Sequence, residues 1–178
     1  MSQYRTSPQY LLDRAAIQDI LARYFQGLDR GKPDQVRSCF TADVVAHYDG
    51  RSALRPGGQE PMRGIDALMG SLLTFKNQQS GKWKVSTHFM GNLNFDLLDG
   101  EMAETETNAI AFLVLTGGAS DEVAMRSLRY LDKLRKTADG WRISERQHTL
   151  DWSCQVPTNF AVTMAQRVMA RPSATAGN

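Results

Sequence analysis

The chain has 178 residues, 42% hydrophobic and 22% charged, a composition that fits one globular domain over residues 1–178 with enough core to enclose a small cavity. Its net charge of +2 is spread over mixed signs, and no basic run is interleaved with aromatics, which argues against a nucleic-acid partner. No apolar run approaches the ~20 residues of a bilayer span, and Arg5, Asp13, Arg14 and Asp19 interrupt the opening segment, so the chain reads as cytoplasmic, with no membrane segment.

Ser7 and Pro8 make a reasonable helix start, after which Ile17, Ile20, Leu21, Tyr24, Phe25 and Leu28 recur at helical spacing in a segment predicted from Gln9 to Lys32. Pro33 can open a short second helix, Asp34 to Phe40, and Val44 to Tyr48 has the β-branched and aromatic content of a brief strand. Asp49 to Gly64 holds Gly50, Pro56, Gly57, Gly58, Pro61 and Gly64 and reads as a loop, of a length that is either disordered or a cover over a site. Helical spacing returns from Ile65 to Gln78.

The second half is extended. Trp83–Leu98, Glu101–Leu115, Val123–Lys136 and Trp141–Trp152 are separated by the turn pairs Asp99-Gly100, Gly117-Gly118 and Asp139-Gly140, which predicts an antiparallel meander. Helices first and strands later define an α+β fold, with the early helices covering one face of a curved, half-open sheet that encloses a pocket. The core runs over about 9–152. The tail, 153–178, offers a weak helix at Phe160–Met169 and a small, polar end expected to fray.

Asp29 lies on the apolar side of the first helix, one turn beyond Phe25. A buried carboxylate costs several kcal/mol, roughly, unless it is neutralised or hydrogen-bonded, so Asp29 needs a partner, and His88 on the first long strand is the best candidate. A neutral imidazole takes a proton near pH 7, and a carboxylate on its other nitrogen fixes the tautomer and stabilises the imidazolium. With no serine or cysteine nucleophile motif, such a pair suits removal of a C–H proton followed by loss of a neighbouring leaving group or by reprotonation elsewhere. Cys39 and Cys154 are too few and too far apart in sequence for a CxxC motif and read as free thiols. The three histidines lack metal-ligand spacing and no GxGxxG or phosphate loop is present, so no metal and no cofactor are expected.

Several other residues are candidates. Arg129, Arg142, Arg146 and His148 lie on the last two strands, where an inward arginine would stabilise a departing anion. Simple alternation groups Arg142, Ser144, Arg146 and His148 on one face and Trp141, Ile143, Glu145 and Gln147 on the other, with the concave face left open. Asn92, four residues after His88, shares its face by the same rule, and Glu106 and Asn108 could extend a polar pocket wall.

The run Arg14-Ala15-Ala16-Ile17-Gln18-Asp19-Ile20 leading to Asp29, the pair Thr87-His88 followed by Asn92, and Asp139-Gly140-Trp141-Arg142-Ile143 closing on Leu150-Asp151-Trp152 together resemble the SnoaL-like branch of the NTF2-like superfamily. The pattern is most similar to the group containing hexachlorocyclohexane dehydrochlorinase, scytalone dehydratase and the bile-acid 7α-dehydratases. This resemblance implies a cone-shaped α+β barrel with an internal pocket, and a catalytic Asp and His at Asp29 and His88. It also implies an arginine near Arg146, a substrate-binding tyrosine at Tyr24, five residues before Asp29, and a second tyrosine near Tyr48. A further histidine used by scytalone dehydratase has no counterpart in Glu101–Leu115.

The function so implied is a cofactor-independent lyase or isomerase acting on a hydrophobic small molecule. The expected catalytic residues are Asp29, His88 and Arg146, with Tyr24, Tyr48, Asn92, Asn108 and His148 binding substrate. The alternatives are a non-catalytic binding or assembly subunit, like the β subunits of ring-hydroxylating dioxygenases, or a polyketide cyclase. Relatives of this type form dimers or trimers, so a homo-oligomer is expected.

Overall fold

The computed structural model describes residues 3–48, 60–117 and 121–157. A 3-10 turn, Gln3–Thr6, leads into helix α1, Pro8–Asp29. Ser7 caps α1 by accepting the backbone N–H of Tyr10, and Pro8 occupies the first turn, where a missing N–H costs nothing. The stripe Ile17, Ile20, Leu21, Tyr24, Phe25 and Leu28 is buried, so the helical periodicity corresponds to a real packing face. The helix stops at Asp29, three residues before the predicted end. Gly31 takes a positive φ of 61° there and lets Lys32 donate back to the carbonyl of Gly27.

Helix α2, Pro33–Arg37, leads into strand β1, Phe40–Tyr48, and after the two-residue strand β2, Met62–Arg63, come helices α3, Ile65–Ser71, and α4, Leu73–Gln79. The single helix predicted over Ile65–Gln78 is therefore two, because Leu72 adopts an extended backbone (ψ 93°) and buries its side chain. Four long strands follow: β3, Trp83–Leu98; β4, Met102–Leu115; β5, Glu122–Thr137; and β6, Gly140–Pro157. The strand order is β2-β1-β6-β5-β4-β3. Neighbours run antiparallel except β1 and β6, which are parallel.

The expected α+β architecture is what forms, with the helices packed on one face of a curved, unclosed sheet. The predicted helix at Phe160–Met169, the frayed end, and most of the covering loop over Asp49–Gly64 lie outside the described residues. No described helix is long and apolar enough to cross a membrane.

Two features fix α1 against the sheet. Its apolar stripe meets Ala103, Ala109, Ala111, Leu128, Tyr130, Leu134, Trp141 and Ile143 in one buried cluster, where each large side chain contributes roughly 1.5–3 kcal/mol. At its N-terminal end, buried Asp13 accepts hydrogen bonds from Tyr4 Oη (2.7 Å), Gln9 Nε2 (3.1 Å), Lys136 Nζ (3.0 Å) and Trp141 Nε1 (2.9 Å). Burial alone would push its carboxyl up, but the donors, Trp141 foremost, outweigh it and hold the group below the usual carboxylate range.

The strands are not simply alternating. Lys133 pairs with Glu145 and Leu134 with Ile143, so Ser144 is an extra residue in β6. This bulge corrects the alternation grouping: Trp141 and Ile143, before it, share the buried face with Arg146 and His148 after it. A second bulge sits in β3, where Met90 pairs with Ala109 but Leu93 with Thr107. Gly91 fits this bulge because a Cβ there would stand 3.2 Å from the carbonyl oxygen of Asn108.

Candidate active site

Asp29 ends α1, and His88 lies on β3 beside that end. One carboxylate oxygen of Asp29 accepts the backbone N–H of His88 at 2.8 Å, and the other meets His88 Nδ1 at 2.6 Å. The two-point grip fixes both the strand and the ring. Phe25, one turn earlier on α1, stacks on the imidazole with centroids 5.6 Å apart. With Nδ1 bound to a carboxylate, a neutral ring carries its proton there and turns an unprotonated Nε2 the other way. The His88 side chain is 7% exposed and lines a cavity of about 440 Å³.

The walls follow from the strand register. His88 is across from Ala111, Ala111 from Arg126, and Arg126 from Ser153, and all four line the cavity. Further along the sheet, Tyr130 is across from His148, and His148 from Tyr48, which places three polar-tipped rings in one cross-strand row. Leu28, Met62, Leu72, Leu73, Leu113, Leu128 and Leu150 supply an apolar lining. Small inward residues on β4, Ala109 and Ala111, leave the space that a larger pair would fill.

Of the sequence candidates, His88, Tyr24, Tyr48 and His148 line the cavity. The hydroxyls of Tyr24 and Tyr48 are hydrogen-bonded at 3.1 Å. His148 stacks on Tyr48 (4.9 Å between centroids) and meets Tyr130 edge-on at 4.9 Å. Its pKa is pushed down to about 4 by burial and by the nearby Arg146 guanidinium, so it is neutral at pH 7, and its Nδ1 is buried without a partner.

Arg146 is placed differently from the expected direct contact with a departing anion. It is 1% exposed, does not line the cavity, and forks onto Asp132, with Nε and Nη2 each 2.7 Å from a carboxylate oxygen. The physical reason is register, since Asp132 stands directly across from it on β5. Its guanidinium carbon lies 4.1 Å from the Tyr24 ring centroid, 4.7 Å from that of Tyr130 and 5.1 Å from that of Phe40. Burial works against this cation, but Asp132 outweighs burial and holds it firmly protonated.

Asn92 and Asn108 need correction too. The β3 bulge interrupts alternation after His88, and Asn92 is exposed rather than beside the imidazole. Asn108 falls between buried Thr107 and Ala109 on the opposite face of β4. Glu106 is on that outer face, paired at 2.9 Å with Arg129, which also holds Asp151.

Sequence reasoning missed Tyr130 and Asp132. The signal was the every-second-residue row Leu128, Tyr130, Asp132, Leu134, all buried, which the charged residues between them obscured. No group of His, Cys, Asp or Glu able to hold a metal ion occurs among the described residues.

Helices packed on one face of a curved, unclosed sheet that encloses a cavity place the chain among small α+β pocket proteins. Residues 9–147 match the SnoaL-like domain, and the chain belongs to that family. An uncharacterized protein of Mycobacterium tuberculosis is 29% identical over 137 residues, covering 77% of this chain and 84% of its own. A Novosphingobium aromaticivorans protein provisionally named scytalone dehydratase superposes with a TM-score of 0.65 at 18% identity, covering 92% of this chain and 98% of its own. Hexachlorocyclohexane dehydrochlorinase LinA-type3 of Novosphingobium barchaimii gives 0.65 at 16% identity, covering 83% and 92%.

Proposed function

We propose that the protein is a cofactor-independent lyase or isomerase in which His88 Nε2 removes a proton from carbon of a hydrophobic small molecule bound in the cavity. The observation that carries this reading is the double hydrogen bond from Asp29 to His88. It sets one tautomer and points the basic nitrogen away from the carboxylate, on a side chain that lines the cavity. In an elimination, the C–H electron pair becomes the new C=C bond and the leaving group departs with its own bonding pair. The proton held on His88 then returns to solvent. Asp29 positions the ring and stabilises the imidazolium formed midway. Arg146 acts at one remove, fixing the rings of Tyr24 and Tyr130 from behind. The dehydratase and dehydrochlorinase names among the structural neighbours agree with this chemistry.

The test follows loss of water from a cyclic β-hydroxy ketone and loss of chloride from hexachlorocyclohexane by NMR, in wild type and in His88→Gln. Turnover of at least one compound, reduced on the order of 10²–10⁴-fold by the substitution, is expected. Equal rates in the two proteins, or no turnover of either compound, would overturn the reading.

A further inference from the structure

The Tyr130 hydroxyl is a group at the cavity whose chemistry the dyad leaves unused. The residue is 2% exposed and its ring is held on every side: edge-on to Tyr24 (6.0 Å), Phe25 (5.1 Å) and His148 (4.9 Å), with the Arg146 guanidinium over its face at 4.7 Å. A ring fixed so closely presents its hydroxyl in one direction. Tyr24 and Tyr48 satisfy each other, but Tyr130, which lines the cavity, has no hydrogen-bond partner among the described residues. Burial pushes its phenol above its ordinary range, so it stays protonated and can only donate or accept as a neutral hydroxyl. Beside it, His148 is neutral with an unpartnered Nδ1.

The relation to the dyad is equally informative. Phe25 packs against both rings, stacked on His88 and edge-on to Tyr130. His88 and Tyr130 line the same cavity, so one bound molecule can contact both. Tyr130 and His148 are both uncharged at pH 7, and a cavity-facing hydroxyl with no protein partner gains most from a ligand oxygen or nitrogen that satisfies it.

We propose that Tyr130, supported by His148, is a specificity-determining residue of the cavity, binding a hydroxyl or carbonyl oxygen of a cyclic substrate while His88 faces a C–H elsewhere on the same molecule. The inference selects oxygenated over halogenated rings. It rests on the proposed function only for which end of the molecule reacts.

The experiment measures binding rather than turnover, so it stands or falls separately from the His88 test. Ligand-observed NMR titrations compare 2-naphthol with its oxygen-free isostere 2-methylnaphthalene and with 2-chloronaphthalene. Wild type is expected to bind 2-naphthol about tenfold more tightly than either comparator, the scale of one well-made hydrogen bond. Tyr130→Phe should abolish that preference while leaving 2-methylnaphthalene affinity unchanged, which also reports an intact cavity. His88→Gln should retain the preference. No naphthol preference in wild type, or its survival in Tyr130→Phe, would overturn the assignment.

Discussion

Asp29 holds His88 by two different atoms, the backbone nitrogen and Nδ1, at 2.8 Å and 2.6 Å. The same carboxylate therefore serves the fold and the imidazole, and the two uses are separable by substitution. Asp29→Asn can keep one acceptor for the backbone N–H while losing the charge that stabilises an imidazolium. Turnover should fall on the order of 10²–10⁴-fold with little loss of stability. Asp29→Ala should lose activity and also leave the buried N–H unpaired, at about 1–3 kcal/mol. Parallel rate measurements and urea titrations check the distinction.

Arg146 and Asp132 form a fully buried pair. Removing one partner leaves the other charge uncompensated, which costs about 3–5 kcal/mol. Arg146→Leu should lower the Tm by roughly 6–20 °C at the 2–4 °C per kcal/mol typical of this chain length. The double variant Arg146→Leu with Asp132→Leu should regain most of that loss. Calorimetry on the three proteins decides the point.

His148 predicts a mild acid sensitivity. Its folded pKa of about 4 lies below the ~6.5 of an unfolded histidine, so the unfolded state binds the extra proton in between. Stability is therefore full above about pH 6.5 and declines as pH falls toward 4, by up to ~1.4 kcal/mol per unit. At pH 5 the Tm should be several degrees below its value at pH 7. His148→Phe, which keeps the stacked ring, should flatten that window in a pH series of thermal melts.

Asp13 acts in a lower window. Its carboxyl is depressed below the ordinary range, so its contribution is complete above the unfolded value near 3.9 and is lost only as pH drops through that value toward the folded one. Asp13→Asn should destabilise the protein at pH 7, through weakened bonds to Lys136 and Trp141, and remove part of the acid transition below pH 4. The same thermal series, extended to pH 3, separates it from His148.

The dyad was legible because helical spacing is robust over the 22 residues of α1: the position that follows Leu21 and Phe25 at one-turn intervals had to turn inward, and a buried carboxylate had to find a partner. The strand candidates were less legible because alternation fails at a bulge, and nothing local announced the extra residue at Ser144 or the one beside Gly91. That lost Asn92 and regrouped β6. Arg146 was a candidate through the family resemblance, with its face left open by alternation, and its sequestration was not legible, since its partner Asp132 is fixed by strand register and register emerges only when β5 and β6 pair. Tyr130 shares that origin.

The alanine across from His88 carries its own implication. Ala111 stands across from His88 and forms part of the cavity wall, so the room at this end is set by methyl groups that are not there. Exchanging Ala111 for valine or leucine would narrow the chamber without disturbing any hydrogen bond of the dyad, and paring back Leu113 or Leu128 would widen it. The size of the chamber and the hydrogen bonds of the Asp29–His88 pair thus reside on separate side chains, so one can change while the other is kept.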